Sequence, residues 1–254
     1  MMLETRGLTH DFGGLRALQG LNLAVLEGEI LGLIGPNGAG KTTVFNLITG
    51  LYRATAGNIL WQGRELVGLP SHHVTSLGIG RTFQNIRLFR ELTVLDNVRI
   101  AFFGRTAYGP LEALLRLPRF RREEQRVTND ARDLLARFEL EGFLAERAGA
   151  LPYGLQRRLE IVRALATRPQ LLLLDEPAAG MNPAEIDALM RFIRGVRDDF
   201  ALTVVLIEHQ MRLVMGVCER LHVLDFGSTL AVGTPAEIRG HPAVVEAYLG
   251  TTPT

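Results

Sequence analysis

Several things are nearly absent from this sequence. One cysteine, Cys218, stands alone in 254 residues. No internal disulfide can form, which fits a reducing compartment, and Cys218 reads as a small packing residue. A charge excess is missing too: 28 Lys plus Arg against 27 Asp plus Glu leave a formal charge of +1. A dedicated electrostatic nucleic-acid binder carries a basic surplus, so no nucleic-acid partner is expected. No apolar run approaches the ~18 residues of a spanning helix. The longest, residues 171–174 and 201–207, are strand-sized. Residues 1–6 read as no secretory signal. The expectation is a soluble chain that would act at a membrane only as a peripheral subunit. Lysine is as rare as cysteine: one against 27 arginines, at Lys41. With 47% hydrophobic residues the chain is no candidate for disorder.

The pattern along the chain predicts strands over 3–9, 21–26, 29–34 and 57–61, and a helix over 41–48. From about 93 to 148 strands vanish, and segments such as 122–137 read as charged amphipathic helix. This is expected to be a helical lobe, bounded at 93–165, inserted into an α/β core that makes the whole of 1–254 one domain. Beyond it, helix 155–166, strand 171–174, helix 184–196 and strand 203–207 alternate, which implies a mainly parallel sheet. A hairpin turn at Gly227–Ser228 and helices over 234–239 and 241–248 complete the expectation.

Residues Gly35-Pro36-Asn37-Gly38-Ala39-Gly40-Lys41-Thr42 fit the pattern G-x-x-x-x-G-K-[ST]. Phosphate oxygens need several converging donors. Backbone N–H groups supply them if the loop can wrap closely, and glycines permit that. The loop opens a helix, whose first turn offers unpaired N–H groups and a positive dipole end. Lys41 adds a compact charge for the β- and γ-phosphates. Thr42 offers a hydroxyl to Mg2+, and Thr43 follows it in the same turn. A second element, Leu171-Leu172-Leu173-Leu174-Asp175-Glu176-Pro177, reads as a buried strand delivering two acids at its C-terminal end. Open α/β sheets bind ligands at that edge. Asp175 is expected to hold Mg2+, directly or through water, and Glu176 to orient and polarise the attacking water. The ligands this chemistry calls for are a nucleoside triphosphate, which the resemblance below implies is ATP, and Mg2+.

With these and the following motifs the sequence resembles the ATP-binding cassette (ABC) ATPases. Gln84, in Arg81-Thr82-Phe83-Gln84-Asn85, sits at the position of that family's Q-loop. Pro152-Tyr153-Gly154-Leu155, before the acid strand, sits at the signature, and Asn182, in Ala179-Gly180-Met181-Asn182-Pro183, at the D-loop. His209 matches the switch histidine, and Phe12, 23 residues before Gly35, matches the aromatic that stacks on adenine. The resemblance implies a P-loop NTPase cassette with an N-terminal antiparallel β portion, a mainly parallel core and the inserted lobe. It gives Glu176, His209 and Gln84 catalytic roles, with Gln84 also reaching Mg2+. A closer resemblance is to the longer ATPase subunit of branched-chain amino acid importers, carried by residues 80–85, 92–94, 157–160, 176–183 and 233–238. It implies an ATP-hydrolysing importer subunit for branched-chain, hydrophobic amino acids. The alternatives are a cassette for urea, an amide or lipid, or a soluble cassette ATPase. The implied partners are a second ABC ATPase subunit (a heterodimer, or else a homodimer), two integral membrane permease subunits and, indirectly, an extracytoplasmic solute-binding protein. The implied location is the cytoplasmic face of the inner membrane.

Two departures from the family pattern matter. Pro152 replaces the usual serine and Leu155 the usual glutamine of the signature, and Asn182 replaces the D-loop aspartate. Proline has neither hydroxyl nor N–H. The expectation is a weaker signature beside a complete cradle, hence two unequal ATP sites in a dimer. Residues 101–125 read as an insert whose Arg116, Arg119, Arg121 and Arg122 face a partner, lipid headgroups or only solvent.

Overall fold

A computed structural model of the chain describes residues 1–105 and 108–249. It divides into two compact units, one from Met1–Gln84 with Gln170–Thr254 and one from Asn85–Pro169. In chain order the first unit begins with β1 (Leu3–Phe12), β2 (Leu15–Leu21), β3 (Ala24–Val25), β4 (Ile30–Ile34), α1 (Lys41–Ile48), β5 (Ala56–Trp61), β6 (Arg64–Glu65), α2 (Ser71–Ser76) and β7 (Ile79–Arg81). The second unit holds α3 (Val94–Phe102), α4 (Pro110–Leu114), α5 (Pro118–Arg137) and α6 (Tyr153–Ala166). The chain then returns with β8 (Leu171–Asp175), α7 (Pro183–Phe200), β9 (Thr203–Ile207), α8 (Met211–Val217), β10 (Arg220–Asp225), β11 (Ser228–Gly233), α9 (Pro235–Arg239) and α10 (Pro242–Leu249).

The first unit carries two sheets. An antiparallel sheet has the order β2-β1-β5-β6, with β3 also paired to β1. The second has the order β11-β10-β4-β9-β8-β7, parallel except for the edge hairpin β10–β11. Strands β4, β8 and β9 are buried at every residue, which is why they read as unbroken apolar runs and not as alternating ones. Each fully buried leucine of β8 contributes about 2 kcal/mol of gross burial energy. Gly32, in mid-β4, leaves room for a neighbour: a Cβ there would lie 2.5 Å from Leu221 Cδ2 and 2.9 Å from Cys218 Sγ. Cys218 is thus the packing residue its solitude implied. Burial, with help from the negative Glu208 and Glu219, pushes its thiol up to about 12.

The sequence expectations differ from the structure at a few points. The strand expected over 21–26 is split into β2 and β3. Asn22 makes the break, because its Oδ1 accepts the Gly7 N–H at 2.8 Å and stands in for a ladder partner. Strand β2 itself, from Leu15, escaped the pattern, as did α2, β7 and α8, which are too short for a stable period. The charged helix starts earlier than 122, at Pro118, where a first-turn proline needs no N–H.

In the second unit, α3, α5 and α6 pack through Val94, Val98, Val127, Ala131, Leu135, Leu159 and Val162. The unit spans Asn85–Pro169, wider than the expected lobe of 93–165. Of the 101–125 insert, Thr106 and Ala107 lie outside the described residues, and Arg116, Arg119, Arg121 and Arg122 are exposed. Arg119 is 3.6 Å from Glu112.

His222 on β10 provides a pH test. It is buried, its Nε2 lies 2.9 Å from Thr229 Oγ1, and burial followed by the nearby Arg220 charge pushes its pKa down to about 4. The folded state therefore resists its protonation. Its contribution is complete above the unfolded value near 6.5 and is lost as pH falls from there towards 4, on the order of 3 kcal/mol in all. The unfolding free energy of the wild type should fall through that window, and the His222→Gln variant should fall less steeply, as measured by urea unfolding at each pH. Equal slopes would contradict the assignment.

Candidate functional site

The phosphate loop leaves the end of β4, in the middle of the parallel sheet. Gly35 has φ +149°, and a Cβ there would lie 2.1 Å from the Leu224 carbonyl oxygen. Gly40 has φ +98°, and a Cβ would meet the Ala17 carbonyl oxygen and Leu18 Cδ2 at 2.7 Å each. Neither position admits a side chain, so the loop is threaded between β10 and β2. Gly40 is the N-cap of α1, and no side chain caps that end. The first-turn amides of α1 are therefore left for a ligand or water. Pro36 is half-buried, Asn37 and Gly38 are exposed at the loop tip, and Ala39 is buried under it. Thr42 is exposed and Thr43 half-buried in the first turn of α1. Lys41 is buried, its Nζ donating to the carbonyls of Gly35 at 2.7 Å and Pro36 at 2.8 Å. Burial pulls the Lys41 pKa below the usual lysine range, against the opposing pull of the Glu176 and Asp175 charges.

The acids follow on β8. Asp175 is the last strand residue and is buried; Glu176 comes next with φ +47°. A left-handed backbone is uncommon for a non-glycine residue, and observed outliers of this kind gather at functional sites. Here the Glu176 N–H donates to the Ile207 carbonyl at 2.9 Å. Its carboxylate accepts from Gln84 Nε2 at 2.8 Å and lies 3.9 Å from His209 Nδ1. The structure thus gathers Lys41, Gln84, Asp175, Glu176 and His209 at one edge.

Other predicted residues lie apart from this group. Phe12, partly exposed at the end of β1, packs edge-on against His10 at 4.5 Å and Tyr52 at 5.3 Å. Asn182 caps α7: its Oδ1 accepts the N–H groups of Ala184 and Glu185 at 3.0 Å, and Glu185 accepts the Asn182 N–H. Pro152, Tyr153, Gly154 and Leu155 belong to the second unit, where Pro152 is the N-cap of α6. The start of α6 is held by Arg157, fully buried, which pairs with Glu160 at 2.8 Å and reaches the Tyr153 hydroxyl at 3.3 Å.

Two residues escaped the sequence reading. Glu208, fully buried, accepts from the Ala178 N–H at 2.7 Å and from His209 and Gln210 at 3.0 and 3.1 Å. It ties the loop after β8 to the loop after β9. Its signal was an acid directly after the apolar run 204–207. Arg81 on β7 bonds Asp175 Oδ2 at 2.9 Å. Nothing in its local sequence marks it as a partner of an acid 94 residues away.

The donor set fits magnesium. The Thr42 hydroxyl, Asp175 carboxylate and Gln84 side-chain oxygen are hard oxygen donors. Among the described residues no group of three or more His, Cys, Asp or Glu could hold a metal. A set with a single carboxylate suits an ion that completes its shell with phosphate oxygens and water.

The comparisons with known proteins agree with this geometry. The family described as ABC transporter matches residues 18–179, and that described as branched-chain amino acid ATP-binding cassette transporter matches residues 228–252. The high-affinity branched-chain amino acid transport ATP-binding protein BraF of Pseudomonas aeruginosa is 48% identical over 249 residues, covering 98% of each chain. A solved nucleotide-free ATP-binding cassette from an ABC transporter superposes with a TM-score of 0.85 at 30% identity, covering 97% of this chain and 98% of the other. The dimeric post-hydrolysis state of an ATP-binding cassette bound to ADP and Pi gives 0.76 at 26% identity, covering 92% and 99%. The chain belongs to the ABC transporter family and has the fold of its ATP-binding cassettes. The resemblance read from its motifs is borne out, as is the α/β cassette fold. No helix among the described residues is long and apolar enough to cross a membrane.

Glu208 generates a test within this site. Glutamine keeps one acceptor oxygen and turns an NH2 towards the amides now bonded. Glu208→Gln should cost about 1–3 kcal/mol and speed amide exchange at Ala178 or at His209 and Gln210. Thermal unfolding and hydrogen exchange check this; unchanged exchange at all three amides would contradict it.

Proposed function

We propose that the chain is the ATP-hydrolysing subunit of an ABC importer for branched-chain, hydrophobic amino acids. The observation that carries the ATPase reading is the convergence of Lys41, Gln84, Asp175, Glu176 and His209 on one sheet edge beside the phosphate loop. The solute is supported by the similarity to BraF, a branched-chain amino acid transport ATP-binding protein. The two units would form one catalytic module, with the second as the inserted lobe.

In this reading residues 35–43 grip the triphosphate through backbone amides, with Lys41 turning its ammonium from the loop carbonyls to the β- and γ-phosphates. Phe12 offers its exposed face to the adenine. Thr42, Asp175 and Gln84 hold magnesium, which supplies charge neutralisation on the phosphates when bound. Glu176 orients and polarises water, and His209 contacts the γ-phosphate. The Gln84–Glu176 bond would link a sensor of occupancy to the carboxylate that orients the water, at the last residue before the chain enters the second unit.

The partners follow from the same reading: a second cassette, two membrane permease subunits on the cytoplasmic side of the inner membrane and, beyond them, a solute-binding protein. A similar solved cassette is a dimer bound to ADP and Pi. In such a dimer the signature of one chain presses on the ATP of the other. Here Pro152 brings no hydroxyl, so Gly154 and the start of α6 carry that contact alone. The site formed by this chain's cradle is then the stronger of two unequal sites.

Two measurements test this. In the assembled transporter Lys41→Ala should abolish ATP binding and uptake, whereas Glu176→Gln should keep ATP bound and lower turnover about 10²-fold or more; undiminished hydrolysis in either would overturn the reading. In a heterodimer, Glu176→Gln should remove most turnover and Gly154→Asp less of it. Equal losses would contradict the unequal sites.

A further inference from the structure

Arg81 lies on β7, in register with Leu173 of β8, and its side chain is 6% exposed. Its guanidinium makes directional contacts to two elements. Nη2 donates to Asp175 Oδ2 at 2.9 Å, and Nη1 donates to Asn46 Oδ1 at 2.8 Å and to Thr49 Oγ1 at 3.2 Å. Its Cζ sits 5.4 Å from the Phe45 ring and 4.8 Å from the Phe83 ring. Asn46, Thr49 and Phe45 belong to α1 or its C-cap, the helix that starts with Lys41 and Thr42. Phe83 is the residue before Gln84.

We propose that Arg81 is a positioning residue for the magnesium-bearing triphosphate: it locks the Asp175 carboxylate to α1, so that Asp175 and Thr42 keep a fixed mutual geometry. The inference rests on the nucleotide-binding reading above. Its physical basis is the fork of the guanidinium, which is flat, always charged and able to bond two elements at once. A buried carboxylate held by water alone would rotate, and its orientation relative to the helix would be lost. A lysine at this position reaches Asp175 as a single point charge and cannot hold Asn46 and Thr49 in the same plane. Arg81 touches neither nucleotide nor water in this scheme. It acts through Asp175 on one side and through α1 on the other, and the Phe83 contact carries the same lock to the neighbour of Gln84.

The test is the affinity of the full-length chain for a fluorescent ATP analogue, measured with Mg2+ and with a chelator in its place. Wild type should bind more tightly with Mg2+. Arg81→Gln should lose about 10-fold or more of that gain, the scale expected when the partner of a metal ligand is removed, with chelator affinity unchanged. Arg81→Lys should recover only part of it. The double variant Asn46→Ala, Thr49→Ala keeps Arg81 and its pair with Asp175 while freeing both from α1. It should also lose part of the gain, and it decides the matter if the Arg81 variants do not fold. An unaltered magnesium gain in the folded variants overturns the inference, as does an equal fall in both conditions, which marks a purely structural role. If wild type itself shows no magnesium-dependent ATP binding, the nucleotide reading fails instead.

Discussion

Everything at the site depends on the register of one residue. Ile207, the last of β9, pairs with Leu33 on one side and with Asp175 on the other. The three strands run parallel, so their chains leave the sheet at the same edge and at the same level. Gly35 lies two residues beyond Leu33, Glu176 one beyond Asp175, and Glu208 and His209 one and two beyond Ile207. A slip of one residue in any strand would move its loop by about 3.3 Å and turn its side chains to the other face. The continuous burial of Ile30–Ile34, Leu171–Asp175 and Thr203–Ile207 holds that register. Local bonds then refine it. The Ile207 carbonyl receives the Glu176 N–H, and Glu208 receives the Ala178 N–H.

Each compact unit buries an arginine–carboxylate pair beside residues of the proposed site. Arg81 with Asp175 lies in the first unit, Arg157 with Glu160 in the second. Buried ion pairs are weak evidence for stability, because desolvation offsets their attraction. What they supply is geometry, since removing either partner strands a charge out of water. The first holds the carboxylate expected to meet magnesium, and the second holds the opening turn of the helix that bears Gly154. Both use arginine. The chain's only lysine stands at the phosphate loop, where the proposed function requires a compact ammonium to change partners.

Much of this was legible in the sequence, for identifiable reasons. The phosphate loop is a local object: its glycines, lysine and threonine are adjacent, and the strand before it is a short apolar run. The same holds for Leu171–Asp175 and Glu176. The helical unit was visible as a change in periodicity, although its limits at Asn85 and Pro169 lie outside the 93–165 segment. What stayed hidden was long-range. Arg81 gains its meaning from a carboxylate on another strand, and Glu208 from amides in another loop. Short elements such as α2, β7 and α8 carry too few residues for a period to show, and Asn22 breaks a strand by a side-chain bond to Gly7 that no local pattern encodes.

The most direct measurement of the central claim is hydrogen–deuterium exchange of the full chain across a titration of ATP with Mg2+. Shared register at Ile207 predicts that segments 35–43, 175–179 and 207–210 gain protection together, with one common half-saturation. Protection absent from 35–43, or rising at separate concentrations in the three segments, would contradict the account.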